Sequence, residues 1–451
     1  MQGDAVSLCC PGGYRLGRST DDNYDKAKRR KVRQGSLEDV LASQHLPPGP
    51  ASLHELLCFP EDMLARVFAD GKFKSSVMRL LEGGIIETSD YSGVSAAREA
   101  TRLLLQAILA HTGQEIPCRV RRMCDVDKTS QHVLLHLSRT QDSGEACVFP
   151  DIRQQLHLSA QKFLESCAPA PGASSLERMQ CYEEMSQWLD ENGSWAVCQD
   201  HRTHCLQHGQ DCVVNARRDD DKVLIINEEL VWVGPNTTEE IQRQFDCLFA
   251  KRCVVSGQLF FQADDASIEE WAKARARKRM RVRSSQDLVG PGLWQDVLTP
   301  AQLQRINNYR TLQLHRASLD DGCFIVDADH WAHSPGPSSG PHFPTLLRHG
   351  TIVDLGSGKV AMADDRWLSL GFNVRRDLGS PFSHWPAHGC VKDLSDRTQH
   401  SLSGNSQSLP AIVAWQLYVF ANVVRREIPQ VEGALLRPSS NEFADGKDDD
   451  D

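Results

Sequence analysis

Ile85-Ile-Glu-Thr-Ser-Asp-Tyr-Ser-Gly-Val-Ser-Ala-Ala97 decides the fold, because a short apolar run passes through small residues directly into a helical pattern. Apolar residues recur at helical spacing from 96 to 111, whereas residues 85–89 have the pattern of a short strand. A strand that leads through a tight turn into a long helix is the first half of a strand–helix–strand unit. The stretch therefore predicts an α/β fold with a parallel sheet.

The same alternation continues along the chain. A second strand is predicted at Arg119-Val-Arg-Arg-Met123, a helix over 131–137 and a third strand at Ala146-Cys-Val-Phe149. Strands that are joined through helices lie parallel in one sheet, with right-handed crossovers. Upstream, residues 52–83 carry apolar side chains at helical spacing, which predicts short helices. The expected fold class is α/β with a doubly wound sheet.

Small or polar residues follow each of the three predicted strands. Small residues after the first strand let backbone N–H groups approach a ligand at the helix N-terminus. A carboxylate after the second strand can hold the hydroxyls of a ribose, and an acceptor after the third can meet an adenine amino group. The alternative is a set of ordinary turns that bind no ligand. The predicted cofactor-binding residues are Tyr91, Ser92, Gly93, Val94, Asp125, Val126, Asp151 and Ile152.

These strand ends resemble the cofactor motifs of the cytosine-5 DNA methyltransferases. Tyr91-Ser-Gly-Val-Ser95 is similar to the family's F-x-G-x-G motif, with tyrosine for phenylalanine and serine for the second glycine. Asp125-Val-Asp127 resembles the acidic motif of the family's second strand, and Asp151-Ile152 resembles the motif of the third. The resemblance implies an S-adenosylmethionine-dependent methyltransferase-like sheet, with S-adenosylmethionine as cofactor and DNA as partner. The bulk of Ser95 and Ala96 predicts weakened cofactor affinity.

Further matches follow in the same order towards the C-terminus. The segment Ser403-Gly-Asn-Ser-Gln-Ser-Leu-Pro410 and the apolar run after it are similar to the family's last motif, in which G-N-S/A precedes a helix that closes the cofactor site. This match adds Asn405 and Ser406 to the predicted cofactor-binding residues. Phe343-Pro-Thr-Leu346 and residues 360–372 resemble the end of the family's irregular target-recognition region.

The residues that perform the family's chemistry are not found. In the family, a cysteine of a Pro-Cys turn after the fourth strand attacks carbon 6 of cytosine as a thiolate, supported by E-N-V and Q-x-R-x-R motifs. Lys222-Val-Leu-Ile-Ile-Asn227 resembles that strand, yet Glu228 follows directly without the turn. Pro117-Cys118 lies before the second strand, at the wrong end of the sheet. We therefore predict an internal deletion near 227–228 and assign no catalytic residue.

Three functions are consistent with this combination of motifs. The chain resembles a DNA (cytosine-5-)-methyltransferase that is inactive as written, and the alternative is a non-catalytic relative that binds DNA or cofactor. The first function, DNA cytosine methylation, would require that the nucleophile lies at a position that these motifs do not identify. A methyltransferase with another substrate is the third function, because one cofactor-binding sheet serves many reactions. The missing Pro-Cys turn favours binding without catalysis.

A net charge of −10 restricts nucleic-acid contacts to local basic patches. Lys26-Ala-Lys-Arg-Arg-Lys-Val-Arg33 is typical of a nuclear import signal or a phosphate-binding arm, with a solvated tail as the alternative. A second run, residues 273–283, is predicted to continue a helix from Ile268 and to neutralise DNA phosphates; a solvent-facing charged surface is the alternative. We expect a nuclear rather than a cytoplasmic location. The predicted DNA contacts are Lys273, Arg275, Arg277, Lys278 and Arg279.

Cysteine and histidine are concentrated between 198 and 212. Cys198-Gln-Asp-His-Arg-Thr-His-Cys-Leu-Gln-His-Gly-Gln-Asp-Cys212 holds six candidate metal ligands within fifteen residues. Zinc takes four such ligands in a tetrahedron, and the C-x2-H and H-x3-C spacings can supply them from a loop or a helix turn. The spacing fits no standard zinc finger, so side chains without a metal are the alternative. Zinc is thus a candidate second cofactor.

Composition sets the remaining limits. The chain has 40% hydrophobic residues and no apolar run of 18 residues, so no membrane span is expected. Fifteen cysteines without a predicted signal peptide indicate a reducing compartment. The predicted organisation is a disordered basic region at 1–51, a cofactor-binding half at 52–227, a target-recognition-like region at 228–400, a closing motif helix at 401–427 and an acidic tail at 428–451.

Overall fold

Helices and short strands alternate through the part of the chain that the structure describes. The computed structural model describes residues 46–90, 92–156, 158–170, 172–196, 202–214, 228–250, 253, 255–278, 297–315, 324–331, 339–378 and 384–427. It is a mixed α/β protein, as the sequence predicts.

The secondary-structure elements are numbered in chain order. The helices are α1 (Leu53–Leu57), α2 (Phe59–Phe68), α3 (Gly71–Leu81), α4 (Ala96–Thr112), α5 (Lys128–Gln141), α6 (Leu158–Ser166), α7 (Ser175–Ala196), α8 (Thr238–Phe249), α9 (Asp265–Lys278), α10 (Pro300–His315), α11 (Ala363–Ser369), α12 (His388–Lys392), α13 (Asp396–Asn405) and α14 (Leu409–Asn422). The strands are β1 (Ile85–Asp90), β2 (Cys118–Cys124), β3 (Cys147–Phe149), β4 (Arg202–Cys205), β5 (Gln210–Val213), β6 (Glu228–Trp232), β7 (Ile325–Asp327), β8 (Ser339–Gly340), β9 (Ile352–Asp354), β10 (Lys359–Val360) and β11 (Val423–Glu427). Short 3-10 helices cover Ile152–Gln155 and Gly257–Phe260.

The first sheet is parallel, with the strand order β1-β2-β3. Helix α4 connects β1 to β2 and α5 connects β2 to β3, which confirms the predicted strand–helix–strand order. Asp90 pairs with Cys124 and Cys124 pairs with Phe149, so the carboxyl ends of the three strands lie at one edge of the sheet. Helix α5 begins before the predicted residue 131, because the Asp127 side chain accepts the Ser130 N–H and caps the helix.

The largest hydrophobic core surrounds α4. Helices α2 and α14 pack against α4, and α3 packs against α14. Gln416 on α14 donates hydrogen bonds to the Ala97 carbonyl at 3.3 Å and to the Thr101 hydroxyl at 2.9 Å. The C-terminal helix therefore packs on the first turns of α4, although Gln416 and Ala97 are 319 residues apart in the sequence. Fully buried members of this core include Leu64, Leu104, Ile108, Val413 and Leu417.

A second sheet occupies part of the predicted target-recognition-like region. Strands β10, β9, β7 and β8 pair antiparallel in that order, and Ile306 and Tyr309 of α10 pack against Val326 and Val353. This region is more regular than the sequence predicts, because the alternating pattern of its two- and three-residue strands is too short to recognise.

Two further strand pairs complete the described fold. Strands β4 and β5 form an antiparallel hairpin, and β6 pairs antiparallel with β11. None of the described helices is long and apolar enough to cross a membrane. The predicted strand at 222–227, the basic run at 26–33 and the acidic tail lie outside the described residues.

Candidate functional site

The turn between β1 and α4 has an unusual backbone. Gly93 has φ of 52° and Ser95 has φ of 62°, so both adopt the left-handed conformation that favours glycine. Ser95 is the N-cap residue of α4 and is almost completely buried. The backbone geometry therefore explains why a glycine suits the position at which this chain has Ser95.

The first two strand ends meet directly. The Gly93 N–H donates to Oδ2 of Asp125 at 2.7 Å, and the other carboxylate oxygen of Asp125 accepts the Asp127 N–H at 2.8 Å. Asp125 is half-buried. Its carboxylate thus contacts the turn that precedes α4, next to the N-terminus of this helix.

The third strand end is joined to the second. The Asp125 N–H donates to the Phe149 carbonyl at 3.3 Å, and the Gln131 amide donates to the carbonyls of Asp125 and Pro150. Asp151 is half-buried and caps the 3-10 helix that follows β3. Its carboxylate accepts hydrogen bonds from the Arg153 side chain, which lower the pKa of Asp151.

The remaining predicted cofactor residues have different surroundings. The Ser92 hydroxyl donates to the Ser89 carbonyl and accepts the Cys124 N–H, whereas the Val94 side chain is part of the main hydrophobic core. The Val126 side chain is 65% exposed beside Asp125. Ile152 packs against the hydrophobic cluster below β3. Tyr91 lies outside the described residues.

The C-terminal motif is divided between two helices. Asn405 is the last residue of α13, where it accepts a hydrogen bond from the Arg348 side chain. Ser406 is the C-cap residue of this helix. The motif helix itself, α14, reaches the first turns of α4 through Gln416.

The basic run after residue 268 is helical, as predicted, at least to Lys278. Lys273 forms an ion pair with Glu269, and the Arg275 guanidinium lies 5.0 Å from the centre of the Trp271 ring. Both charges therefore have partners within the protein. Arg277 and Lys278 belong to the same helix, whereas Arg279 lies outside the described residues.

Three cysteines and one histidine come together beside β3, the outer strand of the parallel sheet. Cys205 ends β4, His208 lies in the hairpin turn and Cys212 lies on β5, whereas Cys147 is the first residue of β3. Their ligand atoms all lie within 4.8 Å of one another, so the group could hold a metal ion. The distances from His208 Nδ1 to the sulfurs of Cys147, Cys205 and Cys212 are 3.6, 3.4 and 3.3 Å.

This arrangement differs from the predicted ligand cluster in two respects. The segment forms a β-hairpin instead of a loop or a helix turn, so alternate side chains of β4 point to opposite sides. His204 is exposed and lies outside the group. The fourth member is Cys147, which precedes His208 by 61 residues, and no local spacing could have identified it. Cys198 and His201 lie outside the described residues.

The electrostatics of the group make its thiols unequal. Hydrogen bonds from Cys147 and from neighbouring backbone N–H groups lower the pKa of Cys205. The hydrogen bond between these two thiols and burial raise the pKa of Cys147, and burial also raises that of Cys212.

No protein-family model matches the chain, and no curated protein matches it.

Proposed function

We propose that the chain binds S-adenosylmethionine at the carboxyl ends of β1, β2 and β3 and acts as a non-catalytic relative of the cytosine-5 DNA methyltransferases. The observation that carries the proposal is the contact between Gly93 and Asp125, which unites the first and second motifs. The junction of Asp125 with Phe149 supports it, because it brings the third motif to the same edge. Doubly wound sheets bind nucleotides at this edge.

Each motif residue has a role in this proposal. The Asp125 carboxylate accepts hydrogen bonds from the ribose hydroxyls, and the turn at Gly93 brings backbone N–H groups close to the ligand. Asp151 and Ile152 line the adenine side. S-adenosylmethionine supplies an electrophilic methyl group when it is bound. The residues of the chain then hold this ligand without transferring its methyl group to cytosine.

The absence of methyl transfer follows from the requirement for a thiolate. The unactivated cytosine ring is a poor nucleophile until a thiolate adds to carbon 6, so cofactor binding alone leaves carbon 5 unreactive. No Pro-Cys turn follows β1, β2 or β3 within the described sheet. Cys118 lies at the amino end of β2, away from the carboxyl ends at which the three motifs meet.

DNA in the nucleus stays the proposed partner, with α9 as the proposed contact. The pairing of Lys273 with Glu269 and the stacking of Arg275 on Trp271 favour the solvent-facing interpretation for these two residues. The proposal for DNA contact therefore rests mainly on Arg277, Lys278 and Arg279.

A binding titration tests the proposed cofactor site. Calorimetry on the full chain should detect S-adenosylmethionine binding, and Asp125→Ala should weaken it at least tenfold, since a ribose contact through a charged group contributes roughly 1.5–3 kcal/mol. Asp62→Ala removes an exposed carboxylate of α2 and should leave binding unchanged. Equal binding by both variants would exclude the ribose role of Asp125.

Zinc is the metal that we propose for the group of Cys147, Cys205, His208 and Cys212. Three thiolates and an imidazole are soft or borderline donors, and a set of four matches the preference of zinc. Metal analysis of the purified chain should find about one zinc ion per molecule.

A further inference from the structure

We infer that Cys147, Cys205, His208 and Cys212 form a closed structural zinc site that fastens the β4–β5 hairpin to the free side of β3. The inference rests on the proposed zinc ion and is independent of cofactor binding. It deepens the proposal by giving the metal a structural role in the fold.

The distances match the size of a zinc site. A tetrahedral zinc ion, with bonds of about 2.3 Å to sulfur and about 2.0 Å to nitrogen, holds its sulfur and nitrogen ligands about 3.5 Å apart. The three observed distances from His208 Nδ1 to sulfur are 3.3–3.6 Å. Four protein ligands fill the tetrahedron and leave no position for substrate or water. The site is therefore structural and not catalytic.

A backbone carbonyl orients the histidine for this role. The other ring nitrogen of His208, Nε2, lies 3.1 Å from the Gly144 carbonyl. A carbonyl can only accept a hydrogen bond, so Nε2 carries the proton and Nδ1 offers its lone pair to the metal. Histidines that bind metals generally donate their second N–H to such an acceptor. Gly144 lies in the loop before β3, so the histidine connects the hairpin to the same strand as Cys147 does.

Among the described residues, the hairpin contacts the sheet through a few hydrogen bonds and a small apolar cluster. A two-stranded hairpin is marginally stable on its own. Among residues 202–214, only Cys205 and Val214 are buried. The backbone link to the sheet is the Leu206 N–H, which donates to the Val148 carbonyl at 2.8 Å. A metal with ligands on both β3 and the hairpin adds to these contacts, since metal binding contributes directly to folding.

The proposed zinc site lies next to the proposed cofactor site. Cys147 and Asp151 stand at opposite ends of one short segment, and β4 packs against the 3-10 helix that Asp151 caps. Phe149 and Ile152 pack around the ligands in a common apolar cluster. The metal therefore holds the turn that carries Asp151 in place.

Metal analysis and ligand substitution test the site in the full chain, purified without a histidine tag. We expect about one zinc ion per chain, and a cobalt-substituted protein with the intense visible absorption of tetrahedral thiolate coordination. Cys147→Ser and His208→Ala should each lose the zinc ion. The matched controls Cys167→Ser and His204→Ala should retain it. His208→Cys keeps four donors and should also retain zinc, which separates loss of a ligand from misfolding.

Hydrogen exchange tests the role in the fold. Removing zinc from the wild-type chain with a chelator should accelerate exchange at the Leu206 amide by roughly tenfold or more, because the hairpin opens locally. Zinc that persists in Cys147→Ser, or an unchanged Leu206 amide after chelation, would overturn the inference. A disulfide between two of the three cysteines in freshly reduced, zinc-supplied protein would overturn it as well. Zinc binding that obeys these expectations without S-adenosylmethionine binding would refute the cofactor proposal alone.

Discussion

The Gly93 N–H donates a hydrogen bond to Oδ2 of Asp125 at 2.7 Å, which joins two turns that are 32 residues apart. The parallel pairing of β1 with β2 produces this contact, because it aligns the carboxyl ends of both strands. In the proposed function, one carboxylate both orders the turn before α4 and receives the ribose. A variant without this carboxylate should thus change the turn and the affinity together.

Ser95 offers a test of backbone strain in the same turn. Ser95→Gly should raise the free energy of unfolding by about 1 kcal/mol, because glycine adopts positive φ without the steric cost of a Cβ atom. Chemical denaturation measures the change. Ser95→Ala removes the hydroxyl but keeps the Cβ atom, so it should give no such gain. Equal stability of the two variants would show that φ of 62° stores no strain at this position.

The buried carboxyl of Glu87 should make the free energy of unfolding depend on pH. Burial raises the pKa of Glu87 to about 7 from 4.5, so the folded state favours the protonated carboxyl. The protonated carboxyl therefore gives its full contribution to the free energy of unfolding below about pH 4.5. This contribution is lost as the pH rises through about 7. Glu87→Gln cannot ionise and should therefore be more stable than wild type at pH 8, by up to about 3 kcal/mol, with little difference at pH 4.5. Denaturation curves at both pH values check this, and a gain of equal size at each would contradict it.

Arg366 should be essential for the second sheet and its surrounding helices. Its side chain is fully buried and donates to the Ser403 hydroxyl at 3.0 Å and to the carbonyls of Gly350 and Leu347 at 2.9 and 2.5 Å. Arg366→Ala leaves these acceptors without partners and should cost about 3 kcal/mol or more. Urea denaturation measures the loss. Arg397→Ala, at an exposed position of α13, should cost less than about 0.5 kcal/mol, and a similar cost for both variants would refute the prediction.

Variants of the basic helix α9 should differ in how strongly DNA binding depends on salt concentration. Removing a lysine or arginine that contacts a phosphate lowers the salt slope of DNA binding by about one. We expect this reduction for Arg277→Ala and Lys278→Ala. Lys273→Ala should change the slope less, because Glu269 already pairs with this charge. DNA binding measured over a range of salt concentrations gives the slopes, and a larger effect of Lys273→Ala would invert the proposed contact set.

Local patterns predicted the parallel sheet well. The apolar stripe of α4 and the strands on both sides of it follow from side-chain periodicity, which depends only on neighbouring residues. The small residues around Gly93 likewise predicted a turn, although its left-handed conformation at Ser95 appeared only in the structure.

Pairings between distant segments were not predictable from one sequence. Cys147 has no local sign of belonging to a group of candidate metal ligands, because the other members lie on a hairpin that begins 55 residues later, at Arg202. The pairing of Glu228–Trp232 with Val423–Glu427 is equally remote. In both cases the contact exists only because the fold brings two distant segments together, so the sequence around either segment does not reveal it.

A labelled methyl group shows whether the chain binds S-adenosylmethionine without transferring the methyl group to DNA. The full chain is incubated with methyl-tritiated S-adenosylmethionine and DNA, and the label is measured on the protein by equilibrium dialysis and in the recovered DNA. DNA that contains 5-fluorocytosine, which traps the covalent intermediate, is tested in parallel. We expect reversible label on the protein, no label in the DNA and no trapped adduct. Label in the DNA with a covalent adduct would contradict the non-catalytic assignment, and the absence of bound label would contradict the cofactor site itself.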